Sequence, residues 1–271
     1  MSYINLSPLF HLSSLENVET RFIASPFDVL MHVKGTTYRK VESRETLRIT
    51  LKNKQYFIKR HWGVGWKEIF KSLFKLQKPI LSTKDEYRAI CHLERAGVSV
   101  PKVFGVGYRG WNPAKIQSFI ILEALTHTCS VNDLLLQWKQ TGVPFNTKYR
   151  LIKRIAEIVS RMHASGLNHR DCYLLHFLMD ERKEFDPLMP IYVIDLHRAQ
   201  IRKKVPERWL IKDLAGLYFS SMNITLTRND LFRFMKAYRH SSLRTIWPLE
   251  RSFWLTVKKR AEQLFKKRAI Q

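Results

Sequence analysis

The hydrophobic period of this chain passes from mainly strand-like to mainly helical near Glu123 to Thr126, and that change limits the fold more than any other feature. As far as Glu123 the apolar residues fall in short, strand-like runs: Val29 to Val33, Leu47 to Leu51, Gln55 to Arg60, Pro101 to Val106 and Ser118 to Glu123. Lys52, Asn53 and Lys54 supply a tight turn between the second and third runs, so an antiparallel meander is predicted. Beyond Thr126 the spacing is helical. Ser130 caps a helix through Trp138, and Asn146 precedes a longer one whose Ile152, Ile155, Val159 and Met162 share a face until Gly166 stops it. Strands first and helices afterwards predict an α+β chain, with an antiparallel sheet lobe over residues 20–125 and a mainly helical lobe over residues 126–271.

Two helices interrupt the strand half. Between Trp66 and Lys78, residues Trp66, Ile69, Phe70, Leu73 and Phe74 lie on one face, with Lys67, Lys71, Lys75 and Lys78 around it. The second helix starts at Ser82 or Thr83, has Glu86 at capping-box distance from Thr83, and ends at Gly97.

Charge narrows the partners. The chain carries 47 Lys and Arg against 23 Asp and Glu, a net charge of +24 over 271 residues. Such a surface attracts polyanions: nucleic acid, an anionic membrane, a phosphorylated glycan or an acidic protein. Nucleic acid is disfavoured, because neither a recognised DNA-binding helix motif nor an interleaved aromatic and basic sheet pattern is present. Cys91, Cys129 and Cys172 lie in separate segments without CxxC spacing, which points away from a disulfide framework or zinc knuckle and fits a reducing cytoplasm. The N-terminal MSYINLSPLF has no basic n-region, and no apolar run is long enough to span a bilayer, so neither a standard export signal nor a transmembrane segment is expected. A second amphipathic stretch, Phe253 to Ile270, places Val257, Ala261, Leu264 and Phe265 on one face with Lys258, Lys259, Lys266, Lys267 and Arg268 on its flanks. Both stretches suit either an anionic membrane surface or a place on the core.

The residues richest in chemistry follow Gly166. His169, Arg170 and Asp171 open a loop that runs through Cys172 and Tyr173 to His176. Phe177 to Met179 then reads as a strand, Asp180 to Met189 as a turn, and Ile191 to Ile194 as a returning strand that delivers Asp195. Such a hairpin can bring two aspartates to one place. Phosphoryl transfer asks for one carboxylate to accept the proton of the attacking hydroxyl and another to hold Mg²⁺ on the phosphates. Asp171 suits the base and Asp195 the metal ligand. Upstream, Lys59 on a strand suits the phosphates, and Glu86 on a later helix suits pairing with that lysine.

The order Lys59, Glu86, His169-Arg170-Asp171, Asp195 resembles that of protein kinases. The longer stretches YFIKRHWGVGW, SFIILEAL, NHRDCYLLHFL and VIDLHRAQIR resemble the lipopolysaccharide core heptose kinases of Gram-negative bacteria, over residues 20–240. The resemblance implies a two-lobed protein-kinase-like fold, with ATP and Mg²⁺, that phosphorylates a hydroxyl of the inner-core heptose nearest lipid A. It implies work in the cytoplasm on an anionic glycolipid acceptor; the basic surface adds a place peripheral on the inner face of the inner membrane and an acidic protein as a further candidate partner. Backbone groups of Glu123 and Leu125 would then meet adenine, and Gly35 with Thr36 or Thr37 the phosphates. Asp213, in IKDLAGLYFSSM, resembles the buried helix aspartate that braces the catalytic loop of kinases.

The protein-kinase pattern is incomplete. His176 stands where those enzymes carry a metal-binding Asn, and Mg²⁺ prefers oxygen to imidazole, so His176 is a candidate either for a second metal ligand or for orienting phosphate. Asp195-Leu196-His197 replaces the DFG switch, Gly35 alone stands for a glycine-rich loop, and the missing APE signature argues against a protein substrate. Arg198 is a candidate to face an anionic acceptor. The alternatives are a kinase for another acceptor, such as Kdo, a small molecule or a protein, and a non-catalytic kinase-shaped module that binds polyanions.

Overall fold

The computed structural model describes residues 2–8, 10, 25–41, 43–74, 78–182, 189–223 and 226–269. Two compact units divide them: Met1–Ile90 with Pro101–Thr126, and Cys91–Val100 with His127–Gln271.

The first unit contains β1 (Ser2–Leu6), α1 (Pro26–His32), β2 (Thr36–Val41), β3 (Arg44–Leu51), β4 (Lys54–Trp62), α2 (Gly65–Phe74), the start of α3 (Lys84–Arg95), β5 (Val103–Arg109) and β6 (Gln117–Glu123). Its six strands form one antiparallel sheet in the order β1-β5-β6-β4-β3-β2. Lys52 and Asn53, both at positive φ, close the β3–β4 hairpin; a two-residue turn of this hand matches the twist of the strands it joins. Alternation along β4 turns Tyr56 and Ile58 into a core with Leu47, Ile49, Phe104, Phe119 and Ile121, and sends Lys59 to the other face of the sheet.

The run Val29 to Val33 is not a strand. It belongs to α1, whose Phe27, Leu30 and Met31 fill the same core. A run this short, four apolar residues interrupted by His32, has no readable period, and the deciding signal lies just upstream: Ser25 accepts a hydrogen bond from the Asp28 N–H, and Pro26 occupies the first turn. Arg109 on β5 then fixes the helix to the sheet, with bonds of 2.6 and 3.1 Å to the Asp28 carboxylate. Those bonds, with one from the Ser25 hydroxyl, hold the Asp28 pKa down at about 2. The helix expected from Trp66 to Lys78 is α2, ending at Phe74; residues 75–77 lie outside the described residues.

The second unit contains β7 (Thr128–Ser130), α4 (Val131–Thr141), α5 (Phe145–Ala164), β8 (Leu167–Asn168), β9 (Phe177–Asp180), β10 (Tyr192–Val193), β11 (Gln200–Ile201), α6 (Glu207–Ser221), α7 (Arg228–Arg239) and α8 (Leu243–Ala269). Ser130 caps α4 by accepting from the Asp133 N–H, and Thr227 with Asp230 forms a complete capping box on α7. Asp230 is buried, which alone would raise its pKa, yet Lys148 at 2.6 Å and the Thr227 N–H and hydroxyl together bring it down to about 2. Helix α8 breaks at Glu250, two residues after Pro248, whose ring cannot sit in a continuous helix. Past the break, Phe253, Trp254, Val257 and Ala261 are buried and α8 packs on α6. The C-terminal amphipathic stretch is therefore a core helix. Among the described residues no helix is long and apolar enough to cross a membrane.

Candidate active site

In the first unit, β4 and α3 bring together the Lys59 ammonium and the Glu86 carboxylate at 2.5 Å, with Glu86 almost wholly buried. Glu86 is thus spoken for by the lysine. The capping box with Thr83 does not form: the Thr83 hydroxyl is buried without a hydrogen-bond partner, and the Ser82 hydroxyl accepts from the Lys84 N–H instead. Glu123 ends β6, exposed, opposite Tyr56, and its N–H donates to the Lys102 carbonyl; Leu125 follows two residues on, half-buried. Gly35 precedes β2, and a Cβ there would come within 2.6 Å of the Arg48 carbonyl and 2.8 Å of Ile49. Close approach to β3 is therefore a sufficient reason for glycine at this position, and the β2–β3 turn itself falls further on, after Val41.

In the second unit, the loop after β8 is hung on one buried carboxylate. Asp213, on α6, accepts from the His169 N–H at 2.6 Å and the Arg170 N–H at 2.8 Å, and its Oδ2 lies 3.3 Å from His163 Nε2. His163 is held in turn by the Tyr238 hydroxyl at 2.9 Å. The double acceptance supports a backbone that few residues adopt, since Arg170 sits at φ +74°. The same α6 lets the loop lie directly against it: at Gly216 an added Cβ would be 3.0 Å from the Cys172 carbonyl oxygen and 3.3 Å from the Tyr173 ring. Burial pushes the Cys172 thiol well up, so this cysteine is a buried filler beside Asp171, not a nucleophile.

Asp171 is half-buried, and both its carboxylate oxygens accept from Arg198 Nη1, at 3.0 and 3.1 Å. The expected hairpin is present, with β9 paired to β10 through Leu178–Tyr192 and Phe177–Val193. It delivers Asp195 in the left-handed region, φ 62° and ψ 48°, at the mouth of a short 3-10 turn. His197 Nδ1 lies 2.5 Å from Asp195 Oδ1. His176 links the two aspartates: its Nδ1 is 2.7 Å from the Asp171 carbonyl and its Nε2 is 3.5 Å from Asp195 Oδ2. A carbonyl only accepts, so Nδ1 carries the proton, and Nε2 presents to Asp195 either a second N–H or a lone pair that a cation can share. Beneath it the His169 ring stacks parallel, centroids 5.5 Å apart, and bonds the Ile194 carbonyl at 3.0 Å; burial lowers the His169 pKa.

His176 thus touches both the main chain of Asp171 and the side chain of Asp195. The Arg198 fork on Asp171 and the His197 contact on Asp195 were not read from the sequence. Their only linear signal is the tight run from Asp195 to Arg198, which a single 3-10 turn folds back on itself. Among the described residues no group of three or more His, Cys, Asp or Glu side chains converges to hold a metal. Mg²⁺ commonly takes one or two carboxylates and fills its other positions with phosphate oxygens and water. A carboxylate such as Asp195 is the donor that Mg²⁺ selects, while the imidazole of His176 is a poorer one.

Residues 28–238 match the family model described as "Lipopolysaccharide kinase (Kdo/WaaP) family". The Escherichia coli K12 lipopolysaccharide core heptose(I) kinase WaaP is 45% identical over 246 residues, covering 88% of this chain and 90% of that protein. The Pseudomonas aeruginosa protein of the same name is 39% identical over 245 residues, 90% of this chain and 91% of its own. A solved structure, "WaaP in complex with acyl carrier protein", superposes with a TM-score of 0.78 at 33% identity, over 97% of this chain and 99% of that one. The sheet unit, the helical unit and the loop hung on Asp213 are thus the two-lobed kinase-like fold, and the chain belongs to the lipopolysaccharide kinase (Kdo/WaaP) family.

Proposed function

We propose that this chain phosphorylates a hydroxyl of the first heptose of the lipopolysaccharide inner core, with ATP as donor and Asp171 as general base. The observation that carries the assignment is His176 in contact with both the Asp171 carbonyl and the Asp195 carboxylate, on a loop braced by Asp213, in a member of this kinase family. In the proposed reaction the heptose O–H proton passes to the Asp171 carboxylate. The hydroxyl oxygen bonds to the γ-phosphorus, and the bond from that phosphorus to the β,γ-bridging oxygen breaks to leave ADP. Arg198 orients the Asp171 carboxylate, and Lys59, set by Glu86, binds phosphate oxygens. Asp195 would hold Mg²⁺, with His176 orienting it or completing its shell; when bound, the ion neutralises charge on the β- and γ-phosphates. Backbone groups at Glu123 and Leu125 would receive adenine, and the segment from Gly35 to Thr37 would lie towards the phosphates.

The net charge of +24 suits an acceptor that already bears acidic sugars, and it extends to this chain the capacity to hold an acidic protein such as the acyl carrier protein of the solved relative. Peripheral residence on the inner face of the inner membrane follows from where such an acceptor is made.

The test is mass spectrometry of core lipopolysaccharide lacking heptose phosphate, incubated with the protein, ATP and Mg²⁺. One added phosphate on the first heptose is expected. Asp171→Ala should lower turnover by about 10² to 10⁴ with the fold intact. Full activity in the folded variant would remove Asp171 from its role. A phosphate found on Kdo would favour the second reading, which the family's description also covers.

A further inference from the structure

Of the two basic amphipathic stretches, the structure separates one from the other. The C-terminal helix buries Val257 and Ala261 of its stripe and half-buries Leu264 and Phe265, whereas the stripe of α2 is mostly exposed. Trp66, Phe70, Leu73 and Phe74 share one face of α2 and are 51%, 52%, 51% and 87% exposed, while Ile69 is the residue of that helix recorded as buried. The Trp66 and Phe70 rings stack on each other at 5.9 Å and so stay together on the surface. Lys67 and Lys71 flank the face, Lys71 bonded to Glu68 at 3.2 Å, and the sequence continues with Lys75 and Lys78.

A second exposed aromatic lies on the element next to the start of α2. The Gly65 N–H at the start of α2 donates to the Ala114 carbonyl at 3.0 Å, and at Gly63 a Cβ would collide with that same carbonyl at 2.7 Å. The loop between β5 and β6 is thereby pressed against the start of α2, and it carries Trp111, 90% exposed, and Lys115. Two tryptophans and two phenylalanines on neighbouring elements, among lysines, have the composition of a helix that lies in a membrane interface: aromatic rings at headgroup depth, ammonium groups at the anionic phosphates.

We infer that α2 and the Trp111 loop form a docking surface for an anionic phospholipid bilayer, with the α2 axis in the plane of the membrane. The charge of the whole chain is of the sign such a surface attracts, and among the described residues of its own unit this aromatic face stays exposed. The inference deepens the proposed function, since a glycolipid acceptor presents its sugars at a bilayer.

The test is co-sedimentation of the full chain with vesicles of phosphatidylcholine alone or with a one-third share of phosphatidylglycerol, none containing lipopolysaccharide. Wild type should pellet with the anionic vesicles and less so as salt rises. The triple variant Trp66→Ser, Phe70→Ser, Phe74→Ser should lose about tenfold or more of that partitioning, and Trp111→Ser a smaller part. All three positions are exposed, so the variant should keep its circular dichroism and its turnover on soluble, deacylated core oligosaccharide. Unchanged pelleting by the folded triple variant would overturn the inference. So would a wild type that ignores anionic vesicles and instead loses a dimer, or a bound acidic protein, when α2 is changed. Failure of wild type on the soluble oligosaccharide would sink the heptose assignment and leave the vesicle result standing.

Discussion

Asp213→Asn puts the bracing of the catalytic loop to a quantitative test. The carboxylate is fully buried and its two oxygens divide the work: Oδ2 accepts from the His169 N–H and Oδ1 from the Arg170 N–H. Asparagine has nearly the same shape and keeps one oxygen, but its NH₂ must face one of those backbone N–H groups, donor against donor. One hydrogen bond to a charged group is lost, about 1.5–3 kcal/mol, and a buried N–H is left without an acceptor, about 1–3 kcal/mol, so the change should cost about 3–5 kcal/mol. That is a large share of the 5–15 kcal/mol, roughly, by which domains of ordinary size are stable. Denaturant midpoints read by circular dichroism give the stability. Turnover measured well below the transition reports the loop itself, because Arg170 at φ +74° should relax once its N–H loses its acceptor. The expected result is a much lower midpoint together with lower turnover at saturating ATP. A folded Asp213→Asn protein with its midpoint shifted by less than about 1 kcal/mol and near-normal turnover would refute the bracing, since a buried bond to a carboxylate cannot be lost, and its N–H stranded, so cheaply.

Other changes separate charge from chemistry. Lys59→Met strands the buried Glu86 carboxylate and should destabilise by about 3 kcal/mol, whereas Lys59→Met with Glu86→Gln should recover stability without recovering ATP turnover, both read by thermal melts and a kinase assay. Arg198→Ala frees the Asp171 carboxylate from its fork, and turnover should fall while the melting curve stays put; unchanged kinetics would remove Arg198 from the site. Asp230 has its folded pKa depressed to about 2, so its stabilising contribution is complete above the unfolded value and fades as pH falls from about 4 towards 2. Asp230→Asn should therefore lower stability at neutral pH and flatten the acid limb in that window; parallel stability curves for the two proteins would contradict the linkage.

Much of the site could be read from linear order because its geometry is local. His169 to Asp171, His176 and Asp195 are joined by a loop and one short hairpin, so their meeting needs only correct strand pairing between β9 and β10. Lys59 and Glu86 lie further apart, yet each sits on a regular element whose period announces it. Contacts made across a tight turn or between distant helices left no such mark: the Arg198 fork on Asp171, the His197 bond to Asp195, and the Tyr238–His163–Asp213 chain. The strand expected at Val29 to Val33 became α1 because so short an apolar run is silent about period, and the cap at Ser25 decided it. β1 went unread for a different reason. It is a peripheral strand that takes its register, Ser2 opposite Arg109, from β5, and its own five residues are mostly exposed. The C-terminal stripe was ambiguous in sequence since the same spacing serves a membrane and a core, and only burial tells them apart.

Gly216 carries a warning for anyone wishing to make this protein more robust. Replacing a glycine inside a helix by alanine is a standard stabilising change, worth about 0.5–1 kcal/mol in a free helix. Here the missing methyl is the clearance on which the Asp171 loop rides, with the Cys172 carbonyl 3.0 Å from where it would be. A library selected for heat resistance alone would admit Gly216→Ala whenever the helix gained more than the loop lost, and would return proteins that melt later and turn over more slowly. In this chain the trade between durability and activity comes down to the room for one methyl group.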